Sequence, residues 1–397
     1  MTKTSTTGGE SGAGSPTNGR TLEVRTAALG TSPTTPLPAR PMPRDFTISL
    51  ASARAADRTI VTPNGERGQP MRGFEDTFTD IVDYILRVTH HIWEEKSIGY
   101  LYESYANNTT VIDDRGMTYG RDRVIENTAS FISAIPDIRL FADEIIWCGD
   151  ENVGFYTSHR VLISGHNTGW SEWGPPTGRR VCFVCMANCR SFENQINQEF
   201  AIYNTGSLLR QLGFDLQSKA REVAARRDAG LDDLAGGEVE RLLGQGSPVH
   251  LPPAPDGAFD VEDFVRRTYH YVWNWRLLDR IDASYAPGFR FHGPTDRELY
   301  GLGEYKGYVL SLLAMFPDLA VQLDDVYWMG NEADGYLAAV RWTLAGTHRG
   351  NGIYGAPTGR RARTWGITHL RILGHRIVEE WTASNEFELL QQLVPFS

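Results

Sequence analysis

Two histidines in the second half of the chain, His348 and His369, are the side chains best suited to proton transfer near neutral pH. Adding 181 to 167 and 188 gives the same two positions, so an earlier segment carries Asn167 and Asn188 where the later one carries titratable rings. If the chain reverses near Gly355, residues 348 and 369 share a face of the hairpin, because side chains alternate along a strand. We therefore predict that His369 or His348 is a general base. The alternative is that both are polar side chains on the outer face of a sheet.

A glutamate recurs in the same way, with Glu199 in the first segment and Glu380 in the second. Both lie in runs that predict the last strand of each segment. If Glu380 points inward, loss of hydration raises its pKa and makes it a workable acid or base. If it points outward, it is an ordinary solvated strand residue.

Aromatic side chains are plentiful, and most are expected in the core. His90 and Trp93 are three residues apart and would face the same way on a helix. That pair either packs the helix on the sheet or lies at a pocket mouth. An aromatic pocket in an acidic protein also suits a cationic ligand. The predicted substrate-binding residues are Tyr285, Trp328, Tyr300, Trp381, His90, Trp93, His166, Asn188 and Asn204.

Three cysteines, Cys182, Cys185 and Cys189, have spacings that resemble a metal-binding motif. In a strand, however, residues 182 and 185 point to opposite faces. We interpret them as structural or buried thiols and predict no metal and no cofactor. A metal site that also uses His159 or His166 is the alternative.

The histidine and glutamate matches belong to a correspondence that extends through most of the chain. The paired segments include GPPTGRRV (174–181) with GAPTGRRA (355–362), THHIWEEKSIGYLYESYA (89–106) with YHYVWNWRLLDRIDASYA (269–286), and IPDIRLFADEIIWCGDEN (135–152) with FPDLAVQLDDVYWMGNEA (316–333). A repeat this long indicates two copies of one domain. The predicted organisation is a flexible N-terminal arm (1–70), a first domain (71–213), a helical and then Pro-rich linker (214–258) and a second domain (259–397).

Each copy has the same predicted order of elements. An amphipathic helix and a shorter helix come first, and four strand-like runs and a short Leu-rich helix follow. Helices followed by a long antiparallel meander are typical of an α+β fold. The Pro-Thr-Gly-Arg-Arg phrase is then a turn between two long strands.

The bulk composition excludes some functions. The 397 residues carry a net charge of −10, which argues against general nucleic-acid binding. The sequence contains no run of about 18 apolar residues, so it predicts no membrane span. The N-terminus lacks the apolar core of a secretory signal, so we expect a cytoplasmic protein. The expected partner is a small-molecule substrate.

The residues GTHRGNGIYGAPTGRRARTWGITHLRILGHRIVEEWTASNEFELLQQL (346–393) resemble the SnoaL-like polyketide cyclases of the nuclear-transport-factor-2-like superfamily, as do GHNTGWSEWGPPTGRR (165–180) and LLRQLG (208–213). The resemblance implies two fused cone-shaped α+β barrels, each a curved antiparallel sheet wrapped around helices and a deep apolar pocket. It also implies cofactor-free acid/base chemistry. The cyclases use an Asp near the last strand. The alignment puts Asn204 and Asn385 at that position, with Thr382 as the other equivalent. Since an amide does not take up a proton, we predict that Asn385 orients a substrate oxygen.

Three functions follow. The first is a cofactor-independent enzyme that abstracts a proton next to a carbonyl, as a lyase, isomerase or cyclase. The second is a non-catalytic ligand-binding or scaffold protein, and the third is a metal-assisted lyase or hydrolase. The domains are expected to pair within the chain as a pseudo-dimer or between chains as a homodimer.

Overall fold

The computed structural model describes residues 67–226 and 248–394, and within them two domains repeat one order of elements. The first domain contains α1 (Ile81–Trp93), α2 (Leu101–Ser104), β1 (Tyr105–Asp113), β2 (Gly116–Tyr119), α3 (Arg121–Ala134), β3 (Arg139–Asp150), β4 (Gly154–His166), β5 (Arg180–Phe192), β6 (Gln195–Ile202) and α4 (Thr205–Leu212). After α5 (Leu216–Ala224), the second domain contains α6 (Val261–Tyr269), a π-helical turn (His270–Asn274), α7 (Asp279–Ser284), β7 (Tyr285–Gly293), β8 (Arg297–Tyr300), α8 (Gly301–Met315), β9 (Ala320–Asn331), β10 (Gly335–Thr347), β11 (Arg361–Leu373), β12 (Arg376–Ser384) and α9 (Glu386–Leu393).

The α+β class and the two fused domains are confirmed, while the sheets differ from the prediction in two respects. Their strand orders are β2-β1-β6-β5-β4-β3 and β8-β7-β12-β11-β10-β9, so each is an open six-stranded sheet rather than a closed barrel. Each sheet is also mixed, because β1 pairs parallel with β6 and β7 pairs parallel with β12. A parallel pair needs a long crossover, and α3, α8 and the intervening meanders supply it.

The helix α1 forms where the apolar periodicity predicts it. Asp80 caps its N-terminus by accepting a hydrogen bond from the Asp83 N–H at 2.8 Å. Its apolar stripe faces the sheet and is buried: Ile81, Tyr84, Ile85, Val88 and Ile92.

The repeated Pro-Thr-Gly phrase lies in the connection between β4 and β5 and again between β10 and β11. In the first domain Asn167 Oδ1 accepts hydrogen bonds from the Thr177 N–H at 2.8 Å and its hydroxyl at 3.0 Å. In the second, His348 Nδ1 lies 3.4 Å from Thr358 Oγ1. The phrase therefore recurs because each copy ties its threonine to the residue that follows the preceding strand.

The two sheets pack against each other through the faces that their own helices leave uncovered. Phe200 of β6 packs edge-on against Trp365 of β11, with ring centroids 6.0 Å apart. Around them is a buried apolar cluster drawn from both domains: Ile112, Met186, Ile202, Ile367 and Ala383. The predicted pairing within the chain thus has a physical basis in buried apolar surface.

Reciprocal hydrogen bonds join the domains near the ends of the last strands. Asn204 Oδ1 accepts from the Thr295 N–H at 3.0 Å, and Asn385 Nδ2 donates to the Asp114 carbonyl at 2.8 Å. Adding 181 to 204 and 114 gives 385 and 295, so the same pair of positions meets twice. This is the pattern of a two-fold interface, here within one chain.

The predicted arm at 1–70 lies outside the described residues except for 67–70, as does part of the predicted linker, 227–247. In the described ranges, none of the helices has the length and apolar character needed to cross a membrane.

Candidate functional site

On the inner face of the first sheet, small side chains lie between larger ones. In β4, β5 and β6 the residues His159, Ala187 and Ala201 lie directly opposite one another. The neighbouring row along the same face contains Cys189 and Glu199. Two alanines in the middle of the sheet leave space above them because a methyl group reaches only a short way toward the helices.

That space is an inner chamber of about 90 Å³ between the sheet and helices α1 and α3. It adjoins a larger outer basin of about 340 Å³. Asp113, Arg115, Thr118, Asn127 and Phe131 line both compartments, so the basin is the entrance to the chamber.

Glu199 is the principal ionisable group of the chamber. The Tyr105 hydroxyl donates a hydrogen bond to Glu199 Oε2 at 2.8 Å. Burial raises the pKa of Glu199 to about 7, and the charge of Asp113 adds to the rise while the Tyr105 bond opposes it. A carboxyl with a pKa near the working pH can both accept and return a proton.

His159 faces the same chamber and is only 4% exposed. Its Nε2 atom is buried and has no hydrogen-bond partner. Burial lowers the pKa of this imidazole to about 3, so the ring is neutral at physiological pH.

Charged groups surround the entrance. Arg115 Nε donates to Asp113 Oδ2 at 3.1 Å, and Arg115 Nη1 lies 3.9 Å from Glu172 Oε1. Asn127 Nδ2 donates to Thr118 Oγ1 at 3.1 Å and is thereby fixed on the opposite wall.

Aromatic rings form one side of the chamber. Trp93 of α1 packs edge-on against Phe131 of α3 at 5.7 Å, and Phe131 lies 5.5 Å from Tyr203, which follows β6. Burial raises the pKa of the Tyr203 hydroxyl well above its usual value, so it remains a hydrogen-bond donor.

The same region of the second domain is occupied by large side chains. Trp342, whose counterpart is Val161, lies over Gly366, whose counterpart is Cys185. The Trp342 Nε1–H donates to Thr368 Oγ1 at 2.9 Å, which fixes the ring in place. Tyr305, Tyr308 and Phe291 stand where the first domain has Val124, Asn127 and Val111.

Glu380 lies in this filled interior. It accepts a hydrogen bond from Thr382 at 3.0 Å and a long one from the Tyr305 hydroxyl at 3.4 Å. Burial raises its pKa to about 7, as for Glu199. Tyr285, the counterpart of Tyr105, is fully buried beside it. The inward orientation of Glu380 that gives a raised pKa is therefore what the structure shows.

His348 and His369 do not meet. Their strands pair antiparallel with Thr347 opposite Arg361, so the two rings lie near opposite ends of β11. Residue 348 lies across from 360, an even-numbered position, whereas His369 is odd-numbered and points to the other face. The shared face expected from the sequence is absent because the strands pair in a different register.

His369 lies between the two domains and is 1% exposed. Its Nδ1 is 3.0 Å from Glu144 Oε1 and its Nε2 is 2.7 Å from Ser158 Oγ. Ser158 Oγ is also 2.6 Å from Asn188 Oδ1. These contacts form a buried network across the interface, away from the chamber.

Replacing His369 by Ala is expected to lower the free energy of unfolding by about 1–3 kcal/mol, because it leaves buried partners of the ring unpaired. His166→Ala is the control: its ring is half-exposed and pairs with Asp137 at the surface, so we expect a change within about 0.5 kcal/mol. Urea unfolding measures both. Equal effects would contradict the interface role, and a loss of catalysis in a folded His369→Ala protein would restore it as a base.

Asn204 and Asn385 occupy the N-cap positions of α4 and α9 at the domain interface rather than lining the chamber. An amide already bonded to the other domain is not available to orient a substrate oxygen, so we do not propose Asn385 in that role. Trp381 is also at the interface, stacked on His292 with centroids 3.8 Å apart and with Arg160 over its other face.

The other predicted binding residues are scattered. Trp93 lines the chamber, whereas His90 of the same helix pairs with Glu94 outside it. Tyr300 is 62% exposed. Trp328 packs against Tyr336 in the second domain.

Cys185 and Cys189 line the chamber, and burial raises the pKa of both thiols well above the usual value. Cys182 falls on the alternate position of β5, as predicted for a strand. Across the described residues, no group of three or more His, Cys, Asp or Glu side chains is arranged to hold a metal ion.

Sequence reasoning missed Asp113 and Arg115 as site residues, named His159 only as a ligand of the alternative metal site, and noted Glu199 only as the counterpart of Glu380. The signal was present in the repeat alignment. A position that is Val161 in one copy and Trp342 in the other indicates which copy has room for a ligand.

Residues 263–393 match the family model for SnoaL-like polyketide cyclases. A search of curated protein sequences finds no significant match. Among solved structures, the chain is similar to a putative SnoaL-like polyketide cyclase from Jannaschia sp. CCS1, at 18% identity over 34% of this chain and 92% of that one, with a TM-score of 0.31.

Two further similar structures come from Streptomyces. One is AclR, a putative hydroxylase from Streptomyces galilaeus, at 23% identity over 34% of this chain and 86% of that one, with a TM-score of 0.30. The other is IdmH, a putative polyketide cyclase from Streptomyces antibioticus, at 25% identity over 33% of this chain and 96% of that one, with a TM-score of 0.29.

Proposed function

Since the chain carries a SnoaL-like domain at 263–393 and a domain of the same topology before it, we propose that the protein is a cofactor-independent acid/base enzyme whose active site is the chamber of the first domain. The observation that supports this proposal is the Glu199–Tyr105 pair, in which a carboxyl with a pKa of about 7 faces the inner chamber.

In the proposed reaction Glu199 accepts a proton from a carbon next to a carbonyl. Tyr105 holds the carboxylate in position through its hydrogen bond. The Tyr203 hydroxyl donates a hydrogen bond to the carbonyl oxygen as negative charge develops there. Glu199 then returns the proton to another carbon of the same substrate. In the elimination, the carbanion expels a leaving group from the neighbouring carbon and Glu199 protonates that group. In the ring closure, the carbanion adds to a second carbonyl of the same substrate and Glu199 protonates the resulting alkoxide. These outcomes correspond to an isomerase, a lyase and a cyclase.

The pH dependence of hydrogen–deuterium exchange tests this proposal. The flat ketone 2-tetralone is incubated with the full chain in D₂O, and loss of its α-proton signal is followed by NMR. Because the base must be ionised, we expect the protein-catalysed rate to rise with pH and level off above about 7, the pKa of Glu199. An absence of exchange above the protein-free rate would contradict the proposal and favour a ligand-binding protein without chemistry.

A further inference from the structure

The two compartments have different sizes, which limits the shape of a ligand. A buried water needs roughly 10–15 Å³ of such volume, so the inner chamber of about 90 Å³ has room for a group of about six to nine heavy atoms. The outer basin of about 340 Å³ accommodates a larger body. A ligand that fills both has a small head near Glu199 and a bulkier remainder at the entrance.

The charges that line the compartments are unbalanced. Glu199, Asp113 and Glu172 are acidic, and Arg115 is the one Lys or Arg among the described residues that line the two compartments. Arg115 is already bonded to Asp113 and lies close to Glu172. An anionic head would therefore meet carboxylates without an available counter-charge.

The unpartnered Nε2 atom of His159 provides an independent indication. The ring is more than nine-tenths buried, neutral and on the chamber wall. With its proton on Nδ1, Nε2 accepts a hydrogen bond. A buried acceptor without a donor is costly unless a ligand supplies one.

The aromatic wall also favours positive charge. Trp93, Phe131 and Tyr203 present rings to the chamber, and aromatic faces attract cations when water is excluded. We propose that the head group of the substrate is a protonated amine, whose N–H groups bond to His159 Nε2 and the Glu199 carboxylate against the aromatic wall. This inference rests on the proposed function for the location of the site and goes beyond it in naming the substrate class.

Calorimetric titration at pH 7.5 with three probes of similar size tests the substrate class: benzylamine, which is protonated, benzyl alcohol, which is neutral, and benzoate. We expect benzylamine to bind at least about 10-fold more tightly than benzyl alcohol, a difference of about 1.4 kcal/mol in binding free energy, and benzoate to bind most weakly. Glu199→Gln should abolish the preference for benzylamine. Glu380→Gln, which alters the matching carboxyl of the filled domain, should leave it unchanged.

Equal or tighter binding of benzyl alcohol or benzoate, or no binding of benzylamine, would overturn the proposal. So would an unchanged amine preference in Glu199→Gln. If the charge preference is absent while Glu199→Gln still abolishes ketone exchange, the substrate class is wrong and the acid/base function stands. If the charge preference is present and Glu199→Gln abolishes it, while ketone exchange does not depend on Glu199, the amine site stands and the acid/base chemistry is excluded.

Discussion

Glu199→Gln is expected to lower the 2-tetralone exchange rate by about 10²–10⁴-fold, the usual contribution of a positioned general base. The amide has nearly the shape of the carboxyl and preserves the contact with the Tyr105 hydroxyl, but it does not accept a proton near neutral pH. Exchange measured by NMR at pH 8, where the wild-type carboxyl is ionised, gives the largest difference.

Glu380→Gln is the matched control, because Glu380 occupies the same position in the second domain and has a similarly raised pKa. We expect its exchange rate to equal that of the wild type. If both variants lose activity to the same extent, or neither does, the assignment to the first domain is wrong.

The stability of Glu199→Gln separates lost chemistry from lost folding. The pKa of Glu199 is about 7 in the folded chain and near 4.5 when unfolded, so its stabilising contribution is complete below pH 4.5 and is lost as pH rises through 7. The Gln variant lacks this loss. Its free energy of unfolding should therefore fall less than that of the wild type between pH 5 and pH 8, and urea unfolding at the two pH values measures this difference and whether the variant is folded where exchange is assayed.

The double change Val161→Trp with Cys185→Gly is expected to close the chamber and lower exchange by at least about 100-fold. It copies the arrangement of the second domain, where a Cβ atom on Gly366 would lie only 2.4 Å from the Trp342 ring. The cysteine must change as well, because a new indole over Cys185 would meet the same obstruction. We expect the free energy of unfolding to fall by about 1–3 kcal/mol, the usual cost of an added core side chain.

Cys185→Gly alone is the control for this closure. It leaves Val161 in place and the chamber open, so exchange should stay within about 10-fold of the wild type. Full activity in the folded double variant would show that the chemistry occurs elsewhere.

Much of the architecture could be predicted from the sequence, because repeated segments and amphipathic patterns are local. The stripe of α1 and the Pro-Thr-Gly connection are examples. The parallel pairing of β1 with β6 could not be predicted in this way, because it joins segments far apart in the chain and leaves no periodic trace.

The candidate site was harder to predict for a physical reason. The sequence shows that His348, His369, Asn204 and Asn385 are polar, but not which surface buries them. In the structure the asparagines are used to join the domains, and His369 is bonded across the interface. Composition does not distinguish a polar group that faces a ligand from one that faces another domain. The presence of cavity space beside a polar group does distinguish the two cases. The small Val161 in the first domain, at the position of the large Trp342 in the second, indicates where that space is.

The filled interior of the second domain has a consequence for how such a protein can change. Two identical subunits encoded by one gene must alter both interiors together, so a substitution that plugs one cavity plugs its twin. A tandem chain escapes that coupling. One half can become a rigid support, in which indole and phenol rings fill the space that a ligand would occupy. The other half keeps its cavity. Selection on binding then acts on a single copy, and selection on durability on its neighbour.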